Sequence, residues 1–179
     1  QRFYSECISK DRNEKCESHL VEDLTSSIGS FWKFCGSNLK EDTYQGLEIK
    51  LVAHPGGPES TQCPYWHQDN VPVRWIQALH GPGALYIDPL AYPNNNYLAE
   101  IDVGIRPKEL ASRGFVDWKA PLVEKSGIIP KQPELGQAAI FVGKVWSQYA
   151  KHGSRPAVIH KSPHEDISQG RVLLVIDVV

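Results

Sequence analysis

Methionine is absent from all 179 residues, and the sequence contains no Cys-x-x-Cys pair, no stripe of basic residues and no long apolar run. Each absence excludes a class. Without Cys-x-x-Cys, a zinc ribbon or a thioredoxin-type redox centre is not expected. Lys and Arg (19) nearly balance Asp and Glu (21), for a formal charge of −2. The clusters are short and mixed, as in Lys10-Asp11-Arg12, so neither nucleic acid nor an anionic membrane is an expected partner. No stretch approaches the roughly 18–20 apolar residues that span a bilayer. The first residues lack the apolar core of a signal peptide, and a cytoplasmic location is the expectation. A phosphate-cradling loop is not expected either. Gly-x-Gly occurs only as Gly81-Pro82-Gly83, with no helix signal after it.

What is present is an ordinary globular composition, 41% hydrophobic and 22% charged, in a chain long enough for one core. The four cysteines, Cys7, Cys16, Cys35 and Cys63, lie in the first third. A Cys7–Cys16 or Cys16–Cys35 disulfide is one reading, and buried free thiols are the preferred one.

Two regimes divide the single domain expected over 1–179. Residues 1–45 read as helix and loop, with three- and four-residue apolar spacing in Ser18–Leu24 and Ile28–Phe34. From Leu47 the signals are those of strands. Leu47, Ile49 and Leu51 alternate with polar residues, and further strands are expected at Val71–His80, Ala84–Asp88, Ala138–Val142, Ala157–His160 and Arg171–Val178. The segment 89–135, rich in proline, is expected to hold a strand at Tyr97–Ile105 and a short helix near Pro107–Arg113. It is too long for a plain connection and is expected to wall the substrate side as an insert or lid. Many short strands with Gly/Pro turns after a helical opening predict a mainly β sandwich, barrel or jelly roll.

The chemistry concentrates in Cys63-Pro64-Tyr65-Trp66-His67-Gln68-Asp69-Asn70. Residues two apart on a strand share a face, so His67 and Asp69 can offer an imidazole and a carboxylate to one ion. His160, ending the run Val158-Ile159-His160, is the candidate third ligand. His19, His54, His80, His152 and His164 compete with it, and the bland reading of His160 is a satisfied, half-buried histidine. Two histidines and a carboxylate leave open positions on an octahedral ion, the arrangement of non-haem Fe(II) oxygenases. Trp66, Trp75 and Trp146 read as core or pocket wall.

The order of these motifs resembles the Fe(II)/2-oxoglutarate-dependent oxygenases: His67-Gln68-Asp69, the Gly81-Pro82-Gly83 turn, the Gly136-initiated strand through Val142, His160, and Arg171 eleven residues later. The sequence is similar, more closely, to an uncharacterised family known only as a domain of unknown function. That family's motifs match His67-Gln68-Asp69-Asn70, Pro72-Val73-Arg74, Gly81-Pro82-Gly83, His160-Lys161-Ser162-Pro163 and Arg171-Val172-Leu173. Lys161 stands where that pattern has Arg, and Ala84-Leu85 replaces a more polar pair. The resemblance covers about Leu47–Val179.

The superfamily resemblance implies a double-stranded β-helix (jelly roll) with Fe(II) held by His67, Asp69 and His160. It also implies 2-oxoglutarate and dioxygen as co-substrates and a small-molecule or amino-acid-like substrate. Arg171 is expected to anchor the distal carboxylate of 2-oxoglutarate, because strand alternation sets it on one face with Leu173 and Val175. Its bland reading is a surface charge at a strand start. Arg74 is the alternative anchor, although its odd separation from Asp69 predicts that it faces away from the metal, as Lys161 does beside His160. Two further functions stay open: a cupin-like metalloenzyme that does not use 2-oxoglutarate, and a non-catalytic jelly-roll binding module. The Asp at position 69 argues against the first, and a complete ligand set argues against the second.

Overall fold

The computed structural model describes residues 13–55, 66–88, 129–163 and 170–179, with the side chains of 13–18 left aside. The helical signals before residue 40 belong to one helix, α1 (Asn13–Asn38), rather than two short ones. Thr25 and Ser27 interrupt the apolar pattern without breaking the helix, because both hydroxyls find partners. Thr25 Oγ1 donates to the Val21 carbonyl, and Ser27 Oγ donates to Gln77 Oε1 on a neighbouring strand. The apolar stripe of Leu24, Ile28, Phe31 and Cys35 repeats every three or four residues and packs into the core. Lys151 Nζ caps the helix end through the Gly36 carbonyl.

The described residues of the β region form six strands: β1 (Leu47–His54), β2 (Val73–His80), β3 (Leu85–Tyr86), β4 (Ala138–Val142), β5 (His160–Lys161) and β6 (Arg171–Val178). Four form one antiparallel sheet in the order β1-β6-β2-β4. Val172 to Ile176, five apolar residues in a row, make β6 a central strand with apolar contacts on both faces. A short α2 (Trp146–Tyr149) follows β4.

Paired residues share a face, so the register sorts the sheet. One face carries Val73, Trp75, Leu174, Ile176 and Val178, which join Phe31, Cys35, Leu39 and Trp146 in the core beneath α1. Full burial of a side chain such as Leu174 or Ile176 contributes about 1.5–3 kcal/mol. The other face carries Lys50, Val52, His54, Arg171, Leu173, Val175, Arg74 and Ile76. Charges here stand where a plain sandwich would have apolar residues.

A smaller layer covers that second face. β3 pairs with β5, Tyr86 pairs with Lys131, and His67 pairs with His160 through two 2.9 Å backbone hydrogen bonds. Phe141 on β4 bridges the layers, 5.4 Å from the Tyr86 ring and 4.7 Å from His160. The chain is thus mainly β and antiparallel. Strands recur at each expected place among the described residues, but β2 begins at Val73 instead of Val71, β3 is cut to Leu85–Tyr86 from the expected Ala84–Asp88, and β5 is His160–Lys161 instead of Ala157–His160. Cys35 is a free, buried thiol, while Cys7 and Cys63 lie outside the described residues and Cys16 lies in the part of α1 whose side chains are left aside. So do the strand expected at Tyr97–Ile105, the helix near Pro107–Arg113 and most of the insert at 89–135. Its end, 129–135, runs beside β3, where Lys131 Nζ meets Asp88 Oδ2 at 2.7 Å.

Candidate metal centre

His67 and His160 reach the same point from adjacent strand segments. Directly paired residues of an antiparallel ladder present side chains on one side, and the two imidazole rings lie 4.3 Å apart. Asp69, two residues beyond His67, turns its carboxylate into the same space. Its Oδ1 is 3.7 Å from His67 Nε2 and its Oδ2 is 3.1 Å from His160 Nε2. One donor atom from each residue fits within 4.8 Å of the others. Donors bound at about 2.1 Å and at right angles around one ion lie roughly 3 Å apart, so these separations suit a single cation with slight contraction.

The surroundings prepare the donors. His160 is almost completely buried, and its Nδ1 lies 3.2 Å from the Val158 carbonyl. A carbonyl only accepts, so Nδ1 donates there, and Nε2 is the ring nitrogen turned to Asp69 and to the space a metal would take, as in metal-binding histidines whose other nitrogen holds a carbonyl. Burial pushes the Asp69 carboxyl up. The hydrogen bond from His160 and the charges of His160, Arg74 and His67 outweigh it and hold the pKa below the usual carboxylate value.

The loop carrying Asp69 is braced by backbone. Lys144 N donates to the Asp69 carbonyl (2.9 Å), and Gly143 N donates to the Pro72 carbonyl (3.0 Å). Gly143 permits this approach, since a Cβ there would overlap the Val71 carbonyl oxygen. Gln68 turns away and donates to the Ala157 carbonyl at 2.9 Å.

The expected orientation of Arg74 is corrected. Its Nη1 lies 2.7 Å from Asp69 Oδ2, and its Nε and Nη2 grip Asp177 at 2.6 and 2.8 Å. Alternation fails as a guide because Asp69 is not in β2. The bend at residues 70–72 breaks the count, and strand parity begins only at Val73. Arg74 is therefore already committed to two carboxylates. Lys161 sends its ammonium over the Trp66 ring, 5.0 Å from the centroid. Trp66 and Trp146 are buried, as expected for wall and core residues.

Arg171 is 3% exposed and lines a cavity of about 230 Å³ together with His67, His160, His54, Leu173 and Val175. The inward-facing reading holds, and the surface-charge reading does not. Among the competing histidines, His19 and His152 are exposed, His80 is half-buried, and His164 lies outside the described residues. His54 is buried and lines the same cavity. Among the described residues, His67, Asp69 and His160 are the group of His, Cys, Asp or Glu side chains that converges tightly enough for a metal ion.

Sequence reasoning missed Asp177 and Gly143. Asp177 was findable, as the one charge in the apolar run Val172–Val178. Nothing local marks Gly143, whose role depends on contact with the distant loop Asp69–Pro72.

No helix among the described residues is long and apolar enough to cross a membrane. No curated protein and no solved structure matches this chain. One family does, over residues 4–177, which extends the similarity back through α1 and beyond the Leu47–Val179 stretch that first suggested it. The chain belongs to the family described as "Protein of unknown function (DUF1826)".

Proposed function

We propose that this chain is a non-haem Fe(II)/2-oxoglutarate-dependent oxygenase on a jelly-roll frame, acting on a small-molecule or amino-acid-like substrate. The observation that carries the reading is the convergence of His67, Asp69 and His160 at a cavity also lined by a buried arginine, Arg171. The connectivity supports the frame. In chain order β1, the His67 bridge, β2, β3, the Lys131 bridge, β4, β5 and β6 fall in the larger, smaller, larger, smaller, smaller, larger, smaller and larger layer. Within the layers the orders are β1-β6-β2-β4 and Lys131-β3-β5-His67. Among the described residues this exchange of segments between two layers is the one that two Greek keys of a jelly roll require, and it supports that reading.

In this reading His67 Nε2, a carboxylate oxygen of Asp69 and His160 Nε2 hold the iron. Bound there with 2-oxoglutarate, Fe(II) supplies the activation of dioxygen that drives substrate oxidation. The Val158 carbonyl keeps the His160 proton on Nδ1 and leaves Nε2 free to coordinate. Arg171 pairs its planar fork with the distal carboxylate of 2-oxoglutarate, which suits a guanidinium better than a point charge. Val52, Ile76, Leu173 and Val175 line the same cavity and limit water around the co-substrate.

Anaerobic titration with Fe(II) and then 2-oxoglutarate tests the reading. A weak visible metal-to-ligand band on addition of 2-oxoglutarate is expected. Iron binding without that band would favour a cupin-like metalloenzyme instead.

A further inference from the structure

The Arg74 guanidinium joins a half-buried carboxylate, the candidate metal ligand Asp69, to a buried one, Asp177. We infer that Arg74 and Asp177 are positioning residues that fix Asp69 as a single-oxygen metal ligand. This rests on the metal-binding half of the proposed function and not on 2-oxoglutarate.

The geometry is specific. Arg74 uses Nε and Nη2 on Asp177, at 2.6 and 2.8 Å, the two-pronged pairing that fixes a guanidinium in its plane. Its remaining terminal nitrogen, Nη1, is then aimed at Asp69 Oδ2 at 2.7 Å. That oxygen also lies 3.1 Å from His160 Nε2, so Oδ2 is taken up by Arg74 on one side and His160 on the other, and Oδ1, 3.7 Å from His67 Nε2, is the oxygen we assign to a cation. Asp177 is almost wholly buried, its side chain 4% exposed, against 13% for Asp69 and 22% for Arg74. The chain of contacts starts at its most buried member, Asp177 in the central strand β6, passes through Arg74 on β2 and ends at the ligand on the loop before β2.

The sheet register explains the arrangement. Arg74 and Asp177 are directly paired across β2 and β6, so their Cβ atoms stand about 4.5–5.5 Å apart on one face. Lys50 lies in the same region, with Nζ 3.9 Å from Asp177 Oδ2, and is held mainly by Glu48 at 2.6 Å. A lysine at 74 could not do the same work. One ammonium lacks the fork needed to stay on Asp177 while reaching Asp69.

Cobalt(II), which reports its ligands through its visible spectrum, is the probe, added to the full chain under anaerobic conditions. Four proteins are compared: the native protein, Asp177→Asn, Arg74→Lys and Ile176→Val. Ile176 is on the opposite face of β6, so its truncation lowers stability without touching the site. Loss of an outer partner of a metal ligand costs about 10–100-fold in affinity. Asp177→Asn and Arg74→Lys are expected to weaken Co(II) binding by at least about tenfold and to alter its visible spectrum. Ile176→Val should keep native affinity and spectrum despite a lower melting temperature.

Native affinity and spectrum in both site variants would overturn the inference. Losses that track melting temperature equally in Ile176→Val would overturn it too, since the role would then be general stability. A native protein that takes up no Co(II) would overturn this inference and the metal reading together. Native Co(II) binding without a 2-oxoglutarate band would sink the oxygenase assignment and leave this inference standing.

Discussion

Gly143→Ala is the sharpest test of how the Asp69 loop is held. The added Cβ would overlap the Val71 carbonyl oxygen and stand 2.8 Å from the Val71 carbonyl carbon and 3.0 Å from the Asp69 carbonyl oxygen. All three are backbone atoms, so no side chain can swing aside. Restoring ordinary contact requires the loop to retreat by roughly 1 Å or more. Metal–donor distances tolerate only about 0.2 Å, so a shift of that size breaks or strains the Asp69 ligand. The Lys144–Asp69 and Gly143–Pro72 backbone bonds lengthen with it. Overpacking of this kind typically costs about 1–3 kcal/mol of stability. Metal affinity is expected to fall by about a hundredfold, at the upper end of what disturbing a ligand's support does. Gly46→Ala is the control, since a Cβ there meets nothing within 4 Å. Calorimetric Fe(II) titration with a parallel thermal melt reads both quantities. Native Fe(II) affinity in Gly143→Ala would refute the claim that this contact positions Asp69.

Arg171→Ala should leave Fe(II) binding intact while raising the apparent 2-oxoglutarate requirement about tenfold or more, read from the titration of the visible band, because a charge-assisted pair is worth about 1.5–3 kcal/mol. Leu174→Ala, at a fully buried position, should cost about 2–5 kcal/mol in urea unfolding. Burial pushes the Cys35 thiol up from 9.0 to about 12. The folded protein should therefore resist aromatic disulfide reagents at pH 8 and react once unfolded in urea. The unfolded thiol ionises from about pH 9 while the folded one keeps its proton. The unfolded state then binds fewer protons, so native stability falls as pH rises from 9 towards 12. Melting curves should show Cys35→Ala losing less over that range.

Which parts of the chain declared themselves follows from how local their causes are. Ala138–Val142 and Arg171–Val178 were legible because their own apolar and β-branched side chains set the strand, whatever the partner. His67 and Asp69 were legible through two-residue spacing, and His160 because an apolar β-branched run ends on it. The face of Arg171 followed from simple alternation within one strand. Alternation misled for Arg74, where the count crossed the bend at 70–72 and left the strand. The grip of Asp177 on Arg74 depends on the β2–β6 register, and that register is a property of two segments 103 residues apart. Gly143 and the Asp69 loop likewise meet only in the folded sheet. Between the two helical signals that join in α1, the Ser27 hydroxyl donates to Gln77, a partner no local pattern reveals.

Iron stoichiometry under anaerobic conditions tests the metal centre most directly. The purified native chain, Asp69→Ala and His160→Ala are each loaded with excess Fe(II), desalted and analysed for bound metal. One iron per native chain is expected, and little or none in either variant, with far-UV circular dichroism unchanged. Full stoichiometry in both variants would contradict it and move the metal, if there is one, away from His67, Asp69 and His160.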